Sequence, residues 1–347
     1  MNTRVPMTTA TGLGPLPDLL EAAGGSRAVG RAFASVGLSL AVLEDRSLRI
    51  PLPAMIDLFD QAARLAGDAR FGLEVGQAMP PGDYGLWVRY AMQSHTLLGA
   101  LARLSRCIVM HQVGGTLLVI PRSTDHVVWE YRNCLHSRSS ALQHNDHVLP
   151  VMIRVVRAYC GPDWTPAWIE SAAPDPGDRS QREEAMSAPW RFERGGGSGI
   201  ALRTAALAAR RRGPTPPGAP LSSAEVAAEI RERASEGAGA RFAAIVALRL
   251  LDQETDIDGA ARIAGIGRRS LQRLLEDDGI TYRALLNNVR MERARALMSE
   301  TELPLTQIGH TLGYSDQAHF TRAFRRHFGA APSRMRLCRL IDPAAAD

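Results

Sequence analysis

Near the C-terminal end of this 347-residue chain, arginine and glutamine recur at the spacing of one helical face. Arg269, Gln272 and Arg273 form one set, and Gln317, Thr321 and Arg322 form another. A guanidinium or a carboxamide offers two hydrogen-bonding groups in one plane. Each can pair bidentately with a base edge, Arg with guanine and Gln with adenine, for about 1–3 kcal/mol of discrimination. Residues at i, i+3 and i+4 emerge on the same side of a helix. Arg268 lies beside the first set, and His319 and Arg325 beside the second. Arg273 and Arg322 are equally suited to phosphate oxygens, which supply affinity without selectivity.

Such residues need rigid elements to present them, and an internal repeat supplies these. One copy spans about 257–279 and the other about 304–329. Each has a short helix, a glycine followed by a bulky residue (Gly265-Ile266, Gly313-Tyr314), and a second helix. Leu271-Gln-Arg-Leu-Leu275 matches Phe320-Thr-Arg-Ala-Phe324, and Gly279 and Gly329 close the copies as C-caps. With Ala264, Leu271 and Leu275 turned inward, this is the pattern of a helix-turn-helix. Tyr282 to Met298 reads as one longer helix between the copies. Leu285, Leu286, Val289, Leu297 and Met298 form its buried stripe, with Arg290, Arg293 and Arg295 on or beside its polar face. It can hold two recognition helices for successive major-groove segments, about 34 Å apart. Charge agrees: 257–341 holds 14 Arg against 8 acidic residues, so it carries +6 of the net +5 and the remainder about −1.

This region resembles the DNA-binding domain of the AraC/XylS family of transcription regulators. The resemblance rests on Arg269 to Leu275, Ile308-Gly-His-Thr-Leu-Gly-Tyr314, Phe320 to Phe324, and Gly329-Ala-Ala-Pro-Ser333 with Arg336. It implies base contacts at Arg269, Gln272 and Arg273, and at Gln317, Ala318, His319, Thr321 and Arg322. Gly267, Gly309 and Met335 depart from the family pattern, and Ala318 has no group to hydrogen-bond a base. The implied partners are double-stranded promoter DNA, RNA polymerase and a second copy of the chain as a homodimer.

The preceding two hundred residues mix patterns. Helices are expected at Pro51–Ala66, across Asp83–Gln112 with a break near His95-Thr96, and at Val148–Tyr159. A hairpin is expected from Thr116–Pro121 and His126–Tyr131, with short strands at Ala167–Ser171 and Trp190–Phe192. Gly195–Gly199 reads as a flexible loop. Arg210 to Pro220 holds four prolines and marks the domain boundary. The fold class is therefore an α+β effector domain (10–210), a Pro/Gly-rich linker (211–220), and an all-α DNA-binding domain with two helix-turn-helix units (221–342). Ser222-Ser-Ala-Glu225 opens the latter as a capping box.

More loosely, the N-terminal part resembles the non-cupin effector domain of some AraC/XylS members. The likeness lies in Arg49-Ile-Pro-Leu-Pro53, Gly67-Asp68, Phe71-Gly-Leu73, Tyr84-Gly85 and Gly161-Pro-Asp-Trp164. It implies an unidentified small-molecule effector, and Trp87, Trp129, Tyr131 and Tyr159 are the candidates to line its pocket.

Several chemistries are excluded. The chain has no lysine, hence no P-loop lysine, Schiff base or lysine general base. It has no H-E-x-x-H and no G-x-S-x-G, so it does not read as an enzyme, and no cofactor is implied. No apolar run is long enough for a membrane helix, and Met1–Ala10 lacks the apolar core of a signal peptide, so a cytoplasmic location is expected. The four cysteines show no C-x-x-C spacing. Two alternatives stay open: a metal- or thiol-responsive regulator using Cys134, His136, His144 and His147, and a DNA-repair alkyl acceptor using Cys107, Cys134 or Cys160.

Overall fold

The computed structural model describes residues 5–79, 85–135, 141–212 and 221–341, in two compact units. The larger comprises Pro6–Val36 and Val42–Ser235. The smaller begins at Glu236 and takes in Gly37–Ala41. An α+β unit is followed by an all-helical one, as the hydrophobic periods of the two halves require.

In the larger unit, β1 (Met7–Thr9) and β2 (Arg49–Pro51) form a short antiparallel ladder. Five more strands make the main sheet: β3 (Gly115–Pro121), β4 (His126–Asn133), β5 (Ile169–Ser171), β6 (Trp190–Arg191) and β7 (Ser198–Arg203), in spatial order β3-β4-β7-β5-β6. The expected hairpin is present, with Val119 opposite Trp129 across β3 and β4. The two-residue period of β4 sends Val127, Trp129 and Tyr131 into the main core, while Val128 joins Trp168 and Ala201 on the other face. Helices Leu97–His111 and Ala141–Cys160 cover the core side, packing on β3 and β7. Asp83–Gln112 resolves into Leu86–Met92 and Leu97–His111, the second capped by Thr96, which accepts from Gly99 N–H.

Two expectations are corrected. The helix expected from Val148 begins earlier, at Ala141, and Gln143 to His147 are buried in its first turns. The glycine run expected as a flexible loop leads into β7, which pairs with β4 and β5. A Cβ on Gly197 would stand 2.0 Å from the Tyr131 carbonyl oxygen, so this glycine admits a close backbone approach rather than a hinge.

Residues 213–220, the bulk of the Pro/Gly-rich linker, lie outside the described residues. Helix Ser223–Ser235 has the expected capping box: Ser222 Oγ accepts from Glu225 N–H, and Glu225 accepts from Ser222 N–H. Sequence grouping attaches this helix to the DNA-binding domain. It packs instead on Leu97–His111, with Val226 buried in the core of the larger unit.

In the smaller unit, Ala238–Leu250 precedes the first helix pair, Ile257–Ile263 and Arg268–Asp277. The long helix Tyr282–Glu300 follows, then the second pair, Leu305–Thr311 and Gln317–Phe328, and finally Pro332–Ile341. Ala264, Leu271 and Leu275 are buried as their spacing requires. The stripe of the long helix differs from the expected one. Leu285, Met291, Ala294, Leu297 and Met298 are buried, while Leu286 and Val289 are only half-buried. The helix serves two neighbours: Ala238–Leu250 packs against it, and its later half packs on Ile308, Phe320 and Phe324.

Candidate nucleic-acid interface and ligand pocket

Both helix pairs turn on a left-handed glycine. Gly265 has φ 68° and Gly313 has φ 75°, a conformation that side chains with a Cβ rarely adopt. Burial of Leu271, Leu274 and Leu275 forces the other face of Arg268–Asp277 outward, and Arg268, Arg269, Gln272 and Arg273 are all exposed there. Arg268 is held partly by Asp258 at 3.2 Å. In the second pair, Phe320, Ala323 and Phe324 are buried, which exposes Ala318, His319, Arg322 and Arg325. Thr321 and Gln317 are half-buried, and the Gln317 amide oxygen is buried without a hydrogen-bond partner. His319 is tied to Asp316 at 3.1 Å; Asp316 also caps the helix through the His319 N–H, a bond that holds its carboxyl below the usual range. Each set of expected base-reading residues therefore shares one helix surface.

Sequence reasoning missed the roles of three arginines that set these helices in place. Arg249 is buried and bridges Glu254 at 2.7 Å and Asp256 at 2.6 Å, where Asp256 is the N-cap of the first pair. Its only sequence signal is a cation within an apolar helix. Arg290 donates to the Gly313 carbonyl at 3.3 Å, with its guanidinium 5.0 Å from the Tyr314 ring centre, so it braces the second turn. Arg336 likewise donates to the Leu303 carbonyl at 2.7 Å.

The larger unit holds a partly open cavity of about 60 Å³. Three elements build most of its wall by simple periodicity. Trp129 and Tyr131 are alternate residues of β4; Leu104, Ile108 and His111 are one face of a helix; His144, Val148, Val151, Met152 and Val155 are one face of another. Trp87 closes it, stacked on His111 with ring centres 5.7 Å apart. Of the four aromatic candidates, Trp87, Trp129 and Tyr131 come together here. Tyr159 does not line the cavity; it is buried in the core and donates to the Ser94 carbonyl at 3.0 Å.

His144 and His147, named from the sequence only as possible metal ligands, also face this cavity. They are buried beside Phe59, whose ring stacks on His147 at 4.4 Å. Burial lowers all three histidine pKa values: His111 to about 4, His147 to about 3, and His144 well below its usual value. The pocket is therefore uncharged at neutral pH. Tyr131 and Gln112 satisfy each other reciprocally, and His111 Nδ1 meets Thr9 Oγ1 at 2.7 Å. The indole Nε1 of Trp87 and of Trp129, and Nδ1 of His144, are buried without a hydrogen-bond partner.

Comparison with known proteins decides the family. A model described as the arabinose-binding domain of AraC transcription regulator, N-term, matches residues 27–210, and a helix-turn-helix domain model matches 260–337. The chain belongs to the AraC family of transcription regulators. This AraC-family chain is 36% identical over 85 residues to the HTH-type transcriptional regulator VqsM of Pseudomonas aeruginosa, covering 24% of the chain and 26% of that protein. It is 41% identical over 78 residues to the ornithine utilization regulator of the same species, covering 22% and 23%. The chain thus spans about a quarter of the length of these two relatives. A crystal structure of the transcriptional regulator CdpR from Pseudomonas aeruginosa aligns over 90% of this chain and 97% of its own, with 22% identity and a TM-score of 0.39.

The metal alternative finds no support in this AraC-family chain. Among the described residues no group of three or more His, Cys, Asp or Glu could hold a metal ion. Cys134 is exposed while His144 and His147 are buried, and His136 lies outside the described residues. Burial pushes the Cys107 and Cys160 thiols up, opposite to what an alkyl-accepting thiolate needs. Both relatives described above are named as regulators. No described helix is long and apolar enough to cross a membrane.

Proposed function

We propose that this chain regulates transcription by reading promoter DNA with both helix-turn-helix units, under the control of a small molecule held in the cavity of the larger unit. The observation that carries the reading is the exposure of Arg269, Gln272 and Arg273 on one helix and of His319, Arg322 and Arg325 on the other, the opposite face of each being locked into the core. Arg269, Gln272, Arg273, Gln317, His319, Thr321 and Arg322 supply base contacts in this reading, and Arg268 and Arg325 contact the flanking phosphates. The cavity, with Trp87, Trp129 and Tyr131 in its wall, is the effector site. The protein works in the cytoplasm, meets RNA polymerase at the promoter, and pairs with a second copy. A coupling of about 1–3 kcal/mol between effector and DNA suffices for a switch.

The test is DNA binding across salt concentrations with fragments upstream of the protein's own gene and its neighbours. A selective complex whose log affinity falls steeply with log salt is expected. Arg269→Ala and Gln317→Ala should each reduce selectivity by about 5- to 150-fold (about 1–3 kcal/mol) while leaving non-specific affinity. Equal, weak binding to every fragment by the wild-type chain would refute the reading.

A further inference from the structure

We infer that the cavity selects an uncharged, largely apolar molecule bearing a hydrogen-bond acceptor such as a carbonyl, received by the buried indole N–H groups of Trp87 and Trp129. The inference rests on the proposal that this cavity is the effector site, and deepens it by naming the ligand class.

Three observations converge. First, the wall contains no Arg, Asp or Glu, and the chain contains no lysine. A carboxylate, phosphate or ammonium group would enter with no counter-charge, at a desolvation penalty that nothing in the wall offsets. The three histidines do not supply the charge, since burial keeps them neutral. Second, an indole N–H is a donor only, and those of Trp87 and Trp129 have no acceptor in the protein. An unpartnered buried donor is unfavourable, so a ligand oxygen placed there removes a defect as well as adding a bond. His144 Nδ1 on a neutral ring can take either role. Third, Tyr131 and Gln112 are already committed to each other, and His111 Nδ1 to Thr9. A sugar carries several hydroxyls, each both donor and acceptor, and this wall leaves too few free polar groups to replace their water. The family model's description mentions arabinose; this cavity does not fit a pentose.

Calorimetric titration of the full chain with four probes tests the inference: acetophenone (neutral acceptor), ethylbenzene (same skeleton, no acceptor), benzoate (charged acceptor) and L-arabinose. Acetophenone is expected to bind at least tenfold more tightly than each of the others. Trp129→Phe and Trp87→Phe keep the aromatic wall and remove the donor. Either should bring acetophenone to within about twofold of ethylbenzene while leaving ethylbenzene affinity unchanged. Thermal melts report whether each variant is folded, and the two variants are independent tests. If ethylbenzene matches acetophenone in the wild-type chain, the indole donors have no role and the inference fails. If benzoate or arabinose binds more tightly than acetophenone, and Val151→Trp, which fills the cavity, abolishes that binding, the ligand class is wrong while the effector site stands. If no probe binds up to millimolar concentration and Val151→Trp leaves effector-dependent transcription intact, both fail.

Discussion

Helix Phe71–Ala78 meets helix Ala141–Cys160 backbone to backbone, and substituting Gly76 there has a calculable outcome. A Cβ on Gly76 would stand 2.3 Å from the His147 carbonyl oxygen and 3.0 Å from its Cα. Ordinary contact needs about 1 Å more, and the obstacle is backbone that cannot rotate away. Gly76→Ala gains up to about 1 kcal/mol of helix propensity. Against this stands overpacking of about 1–3 kcal/mol or more, at the upper end because a whole helix must move. Arg154, which donates to the Gly76 carbonyl, would be displaced too. The net expectation is a loss of about 2 kcal/mol in stability. Gly30→Ala is the matched control: it lies within helix Ser26–Val36 with open space around the added Cβ, so only the propensity gain remains. All five tryptophans fall between Trp87 and Trp190, so urea unfolding followed by tryptophan emission reports this unit alone. Opposite signs for the two variants are expected. If Gly76→Ala stabilises as much as Gly30→Ala, the close approach is not real.

Arg249→Ala should lower operator affinity at least tenfold and destabilise the smaller unit by about 2 kcal/mol, through lost packing and a misplaced first helix rather than lost charge, since Glu254 and Asp256 are half-exposed. Unchanged DNA affinity in a folded variant would contradict the bracing role. Thr281 caps the long helix by accepting from Ala284 N–H, and Thr281→Ala should cost about 1 kcal/mol in denaturant titrations. Acid should destabilise the larger unit. His147 has its folded pKa lowered from 6.5 to about 3, so its contribution is fully present above pH 6.5 and declines as the unfolded chain takes up protons below that value. By pH 5 this one group removes about 2 kcal/mol, with His111 and His144 acting in the same direction. Thermal melts that do not change between pH 7 and pH 5 would show that the histidines are not buried in the neutral form.

The helix pairs were legible because their determinants are local. Turn glycines, Leu271 and Leu275, and the Arg and Gln between them all lie within one stretch of chain. Trp87, Trp129 and Tyr131 were legible as candidates by type, but nothing local distinguishes them from Tyr159, whose hydroxyl goes to Ser94 instead of the cavity wall. His144 and His147 are not legible as pocket residues, because polar Asn145 and Asp146 lie between them. Asp146 is buried only because Arg182, 36 residues later, meets it at 2.6 Å. The glycines before β7 were misjudged for a similar reason: strand partners are set by pairing with β4, which no short window contains.

The exposed cations on both recognition surfaces are arginines, with His319 beside them. Acetylation, which neutralises lysine, has no side-chain target anywhere in this chain, and a guanidinium stays protonated at any physiological pH. In the proposed function, the attraction of these arginines for a phosphate backbone is therefore a constant of the molecule, beyond the reach of metabolic acyl donors or changes in cell pH. Under that same proposed function, release from DNA has to come from where the helices are held, or from the supply of an effector to the cavity.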